Sequence, residues 1–475
     1  MDLHISIDAQ VNLAEQIYQQ IHDAVLGGVL RTGESLPPTR VLALRLGVSR
    51  NTVATAYDRL FAEGFLTTRP GAGTFVRSLT SADREGPVAH ESAVDHGPLQ
   101  PRPVWDHLPE PIDLSTSFAF DFRVGVPDAR LFPYATWRTL IGRQLRASAV
   151  GTGMPCPPAG HAGLRAAIAR HLRVSRGVRA DPDDVLVTSG FQQAFDLLSR
   201  VLLEPGMSVA TEEPGYAPPR LVWRSHGAKV FGVPVDVEGL VVDALPDHAR
   251  LVYVTPSHQF PTGVAMSLRR RVALLAWARR HNAAIVEDDY DSEFRYTNQP
   301  LEPLHRLDHD GHVLYVGSFS KILLPTLRLG YIVAPPSLRH ALRAAKHIAD
   351  WHTNLPVQAA LAEFIDSGGL ARHVRRVRRE YRQRHHRIAE ALAGPLSAWL
   401  DLVPSAAGLH LGAHAKPGTD TAEMLTRAEA AGVGLLDFSI VSGASTPGIA
   451  FGYGAIATDR VDDGLRRLQE SLQAR

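Results

Sequence analysis

The stretch GSFSKILLPTLRLG, residues 317–330, ends an apolar run with Ser318-Phe319-Ser320-Lys321 and follows it with Arg328. Of the 50 basic residues only four are lysines (Lys229, Lys321, Lys346 and Lys416), so 46 are arginines. A chain that writes Arg wherever charge alone suffices marks its lysines as places where a nucleophilic amine is wanted. Other chemistry-bearing residues sit at matching points. Asp288 ends the apolar AAIVED, Tyr290 follows two residues on, and Tyr216 lies in EEPGYAP. Gly190, Phe191 and Gln192 open a helix whose amides and dipole favour an anion. Ser318, Ser320 and Arg328 extend that cradle. An amine for a Schiff base, a carboxylate for a pyridine nitrogen, a ring to stack and a phosphate cradle are together what pyridoxal 5'-phosphate requires. Tyr290 is placed to reach its phenolic oxygen. Singly each group has an ordinary use as a surface cation, a helix cap or a loop anchor; in this order they suit one cofactor.

The elements that must position these groups are short apolar runs alternating with amphipathic stretches. DDVLVTSG is followed by FQQAFDLLSRVLL, then LVYVTPS, RRRVALLAWARRHN, AAIVEDD, HVLYVGS and GYIVAP. Alternating strands and helices predict an α/β fold with a largely parallel sheet covered on both faces. The polar clusters follow the strands, at the edge where open α/β sheets bind ligands.

Residues 10–77 read as a separate unit. Leu13, Ile17, Ile21 and Val25 form one face of a helix that Gly27-Gly28 stops. PPTRVLALRLGVSRNTVATAYDRLFAEG gives two helices, the first holding Leu42, Leu44 and Leu46, with Gly47 at the turn and Ser49 capping the second at Arg50. Burying Val53, Ala56, Tyr57 and Leu60 turns Arg50, Asn51, Thr52 and Thr55 outward. FLTTRPGAGTFV is a hairpin broken at Pro70-Gly71. The whole is a winged helix-turn-helix. Arg40, Ser49, Arg50, Asn51, Thr52 and Thr55, with Arg69, Gly71 and Gly73 of the wing, are the expected DNA-facing residues. From Leu36 to Arg77 six arginines stand against two acids, an excess of +4.

Bulk properties limit the alternatives. A chain of 475 residues with 45% hydrophobic content exceeds the usual single-core length. The net charge of +1 excludes a globally basic nucleic-acid coat but allows a local patch. Cys156 is the only cysteine, and Met1 to Gln10 lacks a secretory pattern. No apolar run approaches the ~18 residues of a membrane span, so a cytoplasmic protein is expected. His305, His309 and His312 match no zinc spacing, and no metal is expected. Residues 78–111, rich in proline, glycine and polar residues, read as a semi-extended linker. The helix GLARHVRRVRREYRQRHHRIAEAL carries an apolar stripe of Leu370, Val374, Val377 and Tyr381, with arginines on a solvated face.

GESLPPTRVLALRLGVSRNTVATAYDRLFAEGFLTTRPGAGTFV resembles the winged-helix domain of the GntR family of bacterial regulators. FRVGVPDARLFPYATW, TSGFQQAFD, EEPGYAP, TPSHQFPTG, IVEDDYDSEFRY and SFSKILLPTLRLGY are similar to fold-type-I aminotransferases. The combination resembles the MocR subfamily of GntR regulators, nearer its vitamin B6 branch than its amine-sensing branch. That resemblance implies a winged helix over 1–77, the linker over 78–111, and an aminotransferase-like domain over 112–475, with a large part to about 345 and a small part beyond. It implies that Lys321 is the Schiff-base lysine, that Asp288 meets the pyridine nitrogen, that Tyr290 and His258 lie on the ring's oxygen side, and that Arg328 holds phosphate. It also implies a domain-swapped, head-to-tail homodimer on double-stranded operator DNA.

One departure separates the chain from the enzymes. They carry an Arg-apolar-small-aromatic segment whose arginine clamps the substrate carboxylate; the stretch here is GIAFGYG, and Ala450 is read as standing in that arginine's place. Losing a charge-assisted contact of this kind weakens amino acid binding by roughly 1.5 to 3 kcal/mol. Phe260 stands where many aminotransferases have an asparagine. The expectation is a regulator whose effector is pyridoxal phosphate itself. The alternatives are a regulator that senses an amine or amino acid displacing Lys321, and an aminotransferase with an appended DNA-binding module.

Overall fold

Apolar residues at helical spacing make α1 (Leu13–Leu26), which buries Ile17, Tyr18, Ile21 and Val25 and is capped by Asn12, whose side chain accepts from the Glu15 N–H. The computed structural model describes Ile5, Ile7 and residues 12–69, 73–77, 99–109, 116–150, 156–296, 302–405, 407–439 and 447–473. The chain divides into two units, Met1–Gln100 and Pro101–Arg475.

In the first unit α1 is followed by β1 (Ser35–Leu36), α2 (Thr39–Leu46), α3 (Arg50–Ala62), β2 (Leu66–Arg69) and β3 (Gly73–Val76). The strands form an antiparallel sheet in the order β1-β3-β2. Gly47 ends α2 at φ 67, a left-handed conformation that glycine adopts without steric cost. Ser49 then caps α3 by accepting from the Thr52 N–H at 3.1 Å. Val53, Ala56, Tyr57 and Leu60 of α3 pack on Ile17, Ile21, Leu42, Leu66 and Val76. Arg59 pairs with Glu15 at 2.6 Å and Glu63 at 3.0 Å, fixing α1 to the end of α3. Within α2 the buried residues are Leu42 and Ala43, while Leu44 is exposed.

The second unit opens with β4 (Phe120–Asp121), α4 (Tyr134–Gln144), α5 (Ala147–Val150) and α6 (Ala162–Arg176). Its main sheet and helices are β5 (Val185–Thr188), α7 (Phe191–Leu202), β6 (Ser208–Glu213), α8 (Ala217–Ser225), β7 (Lys229–Asp236), β8 (Gly239–Leu240), β9 (Ala249–Val254), α9 (Leu268–His281), β10 (Ala284–Asp289), α10 (Leu304–Leu307), β11 (Val313–Ser318) and β12 (Gly330–Val333). The eight strands lie in the order β5-β12-β11-β10-β9-β6-β7-β8. Neighbours from β11 to β7 are parallel, while β12 runs antiparallel to both β11 and β5. Strands β5, β11 and β12 are buried along their whole length, which explains their unbroken apolar runs.

Three further helices follow: α11 (Arg339–Asp350), α12 (Leu355–Asp366) and α13 (Gly369–Ala393). Helices α7, α8 and α11 cover one side of the sheet through Phe195, Leu198, Trp223 and Leu342. Helices α4, α6 and α12 pack through Trp137, Leu164, Ile168 and Phe364 onto Val185, Val187 and Val333. The chain ends with β13 (Leu400–Leu402), β14 (His410–Ala415), α14 (Thr421–Ala430), β15 (Val433–Gly434), β16 (Leu436–Asp437), β17 (Gly448–Gly452) and α15 (Val461–Gln473). Here an antiparallel sheet, β13-β14-β17-β16, packs against α13, α14 and α15.

Two sequence expectations are corrected. Arg384 of α13 is not on the solvated face: it is 2% exposed, pairs with Asp128 at 2.7 Å and donates to the carbonyls of Tyr453 and Gly454. The linker expected over 78–111 is not extended at its C-terminal side, because Pro103–His107 form a 3-10 turn and Arg102 donates to the Ser225 carbonyl at 3.3 Å. Residues 78–98 and 110–111 lie outside the described residues.

Candidate functional site

Parallel strands place their carboxyl ends on one edge of the main sheet, and that edge gathers Ser189-Gly190, Tyr216, His258, Asp288 and Lys321. Lys321 lies three residues beyond β11. The Ser318 hydroxyl accepts from the Ser320 N–H at 3.0 Å and faces the Leu329 carbonyl at 3.4 Å. It therefore shapes the turn that presents Lys321 and is engaged with the chain itself. Lys321 Nζ donates to the Gly125 carbonyl at 2.6 Å. Gly125 has φ +85, and a Cβ there would lie 3.0 Å from Nζ, so glycine leaves the amine its space. Burial pulls the lysine below its usual pKa, opposed by the charges of Asp291 and Asp288. The shift lowers the cost of forming the neutral, nucleophilic amine.

Asp288 is buried at the end of β10. Its Oδ2 accepts from the Tyr253 hydroxyl at 2.6 Å, while Oδ1 has no partner. Burial, with the nearby Asp289, Asp291 and Glu212, holds its pKa well above the usual carboxylate range, although the Tyr253 bond works the other way. A buried carboxylate with one orphaned oxygen fits a cationic N–H donor.

Gly190, φ 84, is the N-cap of α7, and Phe191 and Gln192 form its first turn. Arg328, itself left-handed at φ 51, brings its guanidinium so close that a Cβ on Gly190 would meet it at 3.1–3.3 Å. Nη2 donates to the Ser189 carbonyl at 2.8 Å. Helix amides and a guanidinium converge on an anion position, with Gln192 exposed beside it and Phe191 stacked on Phe195 at 5.8 Å.

An aromatic wall completes the site. Tyr216 meets Phe260 edge-to-face at 5.4 Å, and Phe260 lies 6.3 Å from Tyr290. Burial, with Asp288, pushes Tyr216 up to about 12, against the pull of Arg328. The Tyr290 hydroxyl donates to the His258 carbonyl at 2.9 Å and lies 3.1 Å from His258 Nδ1. His258 Nδ1 also meets Asp291 Oδ2 at 3.0 Å, with both side chains 1% exposed. The His258 ring stands 4.6 Å from His410, whose Nε2 donates to the Pro261 carbonyl at 3.1 Å. Burial drives His410 well below the usual histidine range. His258, Asp291 and His410 bring their ligand atoms within 4.8 Å of one another. Asp291 Oδ2 also accepts from the Leu409 N–H at 3.1 Å, while His258 Nε2 is buried without a partner among the described residues. The cluster joins the main sheet to β14.

Beneath this layer Arg176 donates to Asp289 at 2.7 and 3.2 Å and to Ser257 Oγ at 2.9 Å. The hydroxyls of Ser292 and Tyr315 also donate to Asp289 Oδ2. Burial opposes ionisation of Asp289, yet Arg176 and these hydroxyls hold its carboxyl below the ordinary value. None of Arg176, Asp291, His410 or Tyr253 was singled out from the sequence. For the first, the sequence offered only an arginine closing an amphipathic helix, with nothing local to show its burial.

Ala450, read as standing in the place of the carboxylate-clamping arginine at the head of Ala450-Phe451-Gly452-Tyr453, is fully buried in β17 and packs against Phe438. Arg460 instead lies over the Phe120 ring at 4.7 Å.

In the first unit the structure brings Arg40, Ser49, Arg50, Asn51 and Thr55 to exposed positions, with Thr52 half-buried. Ser49 Oγ and Thr52 Oγ1 bond each other at 2.8 Å, and Thr55 Oγ1 donates to the Asn51 carbonyl at 3.0 Å. Arg69 lies over Phe75 at 4.9 Å and Gly73 is exposed, while Gly71 lies outside the described residues. Arg40, Arg50 and Asn51 have no side-chain partner among the described residues.

Residues 13–76 match the family model described as bacterial regulatory proteins, gntR family, and residues 139–429 match aminotransferase class I and II. The chain is 36% identical over 98% of its length, and 95% of the relative's, to the "Probable rhizopine catabolism regulatory protein MocR" of Rhizobium meliloti. It belongs to the MocR-type regulators of the GntR family. Another MocR-type relative is the pyridoxine biosynthesis transcriptional regulator PdxR of Corynebacterium glutamicum, 34% identical over 86% of this chain and 85% of that one. The second unit is similar to the Pyrococcus horikoshii kynurenine aminotransferase, solved with PMP, at 28% identity and TM-score 0.69 over 76% of this chain and 91% of that one. Among the described residues, no helix of this MocR-type chain is long and apolar enough to cross a membrane.

Proposed function

We propose that this MocR-type transcription regulator reads pyridoxal phosphate in its aminotransferase-like domain and controls genes of vitamin B6 synthesis. Pyridoxal phosphate is its cofactor, and when bound it would supply an aldehyde to the amine of Lys321. Asp288 Oδ1 would take the pyridine nitrogen, Tyr216 and Phe260 would bound the ring, Tyr290 would meet its oxygen side, and Arg328 with the first turn of α7 would hold the phosphate. Tyr253 keeps Asp288 oriented, and Arg176 keeps Asp289 ionised behind it. The regulator acts in the cytoplasm as a head-to-tail homodimer on double-stranded operator DNA, each winged helix set against its partner's effector domain.

The observation that carries this reading is Ala450, whose fully buried methyl stands at the position read as the carboxylate-clamping arginine's. The site is equipped to hold the cofactor and lacks that anchor for an amino acid. A ligand shifts a conformational equilibrium only through differential affinity for its two states, and a covalent link at Lys321 is a source of such a difference. The test is to titrate pyridoxal phosphate into apo protein and follow operator affinity by fluorescence anisotropy. A change that saturates with the cofactor supports the reading; indifference of the DNA complex sinks it.

A second reading, in which an amine or amino acid displaces Lys321, is favoured by one contact. The Gly125 carbonyl, 2.6 Å from Nζ, is an acceptor ready for the lysine once it is released. A panel of amines that alters operator affinity only in the cofactor-loaded protein supports this alternative. Sustained turnover on any of them makes the protein an enzyme as well.

A further inference from the structure

Lys346 is a buried lysine that the cofactor site does not touch. It lies on α11 with 0% of its surface exposed. Its three ammonium hydrogens have three acceptors: Gln193 Oε1 at 2.6 Å, Asp350 Oδ2 at 2.7 Å and Thr353 Oγ1 at 2.9 Å. Removing an ammonium from water is costly unless every donor is matched, and here all three are. A compact tetrahedral donor fits three converging acceptors; the planar fork of an arginine does not.

Two of the three acceptors lead to the anion cradle. Gln193 Oε1 also accepts from the Ser189 N–H at 2.8 Å, and its Nε2 donates to Asp350 Oδ2 at 2.8 Å. Thr353 Oγ1 meets Ser189 Oγ at 3.2 Å. The Ser189 carbonyl in turn receives Arg328. Ser189, the residue before Gly190, is thus held from one side by Arg328 and from the other by the Lys346 cluster.

We infer that Lys346 is a positioning residue for the cofactor's phosphate: acting through Gln193 and Thr353, it fixes the Ser189-Gly190 backbone so that the amides of the first turn of α7 converge on the anion. The inference rests on the reading that the phosphate sits at that turn.

The experiment compares pyridoxal phosphate with pyridoxal, which lacks the phosphate, by visible absorbance titration of the full-length apo protein. Lys346→Met weakens pyridoxal phosphate about tenfold and leaves pyridoxal unchanged, and Lys346→Arg falls between. Gln193→Ala, which keeps the ammonium but cuts its link to the Ser189 N–H, gives the same phosphate-selective loss and serves if Lys346→Met fails to fold. A folded variant that loses both ligands equally, or neither, overturns the inference and leaves Lys346 as a pin between α7 and α11. Equal affinity of the wild type for both ligands removes the premise about the phosphate, and the inference with it.

Discussion

The Tyr253 hydroxyl binds one oxygen of Asp288 at 2.6 Å and leaves the other, Oδ1, unmatched in a buried site. A cationic nitrogen opposite Oδ1 answers both the missing partner and the raised pKa. Asp288→Asn keeps the shape and removes the charge. A charge-assisted hydrogen bond contributes about 1.5 to 3 kcal/mol, so the variant binds pyridoxal phosphate roughly ten- to a hundredfold more weakly in a fluorescence titration. An unchanged dissociation constant removes Asp288 from the site.

Glu212, at the end of β6, has burial as the main cause of a pKa raised from 4.5 to about 7, and its Oε1 lacks a partner. Its folded value lies above its unfolded one, so the protonated form favours the fold. The contribution is complete below about pH 4.5 and is lost as the pH rises through about 7. Its size is about 3 kcal/mol. Scanning calorimetry of apo protein from pH 5 to 8 shows a falling transition temperature, and Glu212→Gln flattens that slope. The same slope in the variant contradicts the assignment.

Arg176 and Asp289 are a buried pair on which the floor of the site rests. Arg176→Leu leaves Asp289 with hydroxyl partners only. Breaking a buried pair on one side costs about 3 to 5 kcal/mol. The effector domain of this variant unfolds at markedly lower denaturant than the wild type, whereas replacing the exposed Arg466, paired with Asp463 on α15, shifts the midpoint little.

On the DNA side the prediction separates two neighbours. Arg50 is exposed without a partner among the described residues, whereas Ser49 caps α3. Arg50→Ala weakens operator binding by about 1 to 3 kcal/mol and leaves the melting curve in place. Ser49→Ala lowers the stability of the first unit by about 1 kcal/mol. If Arg50→Ala binds operator as the wild type does, α3 is not the reading helix.

The sequence carried the winged helix well, because each of its parts is local: Asn12 and Ser49 cap, Gly47 turns, and the buried residues of α3 recur at helical spacing. The strand ends of the second unit were legible for the same reason. The partners of those strand ends were not. Arg176 and Asp289 lie 113 positions apart, and Arg384 and Asp128 lie 256 apart, so no local period links them. Arg384 misled because an arginine on an amphipathic helix reads as solvated until its partner is known.

The central claim is that the amine of Lys321 holds the cofactor. Borohydride reduction of the loaded protein followed by peptide mass spectrometry tests it most directly. The account predicts a phosphopyridoxyl adduct on the peptide bearing Lys321 and none in Lys321→Ala. An adduct confined to Lys229, Lys346 or Lys416, or no adduct at all, contradicts it.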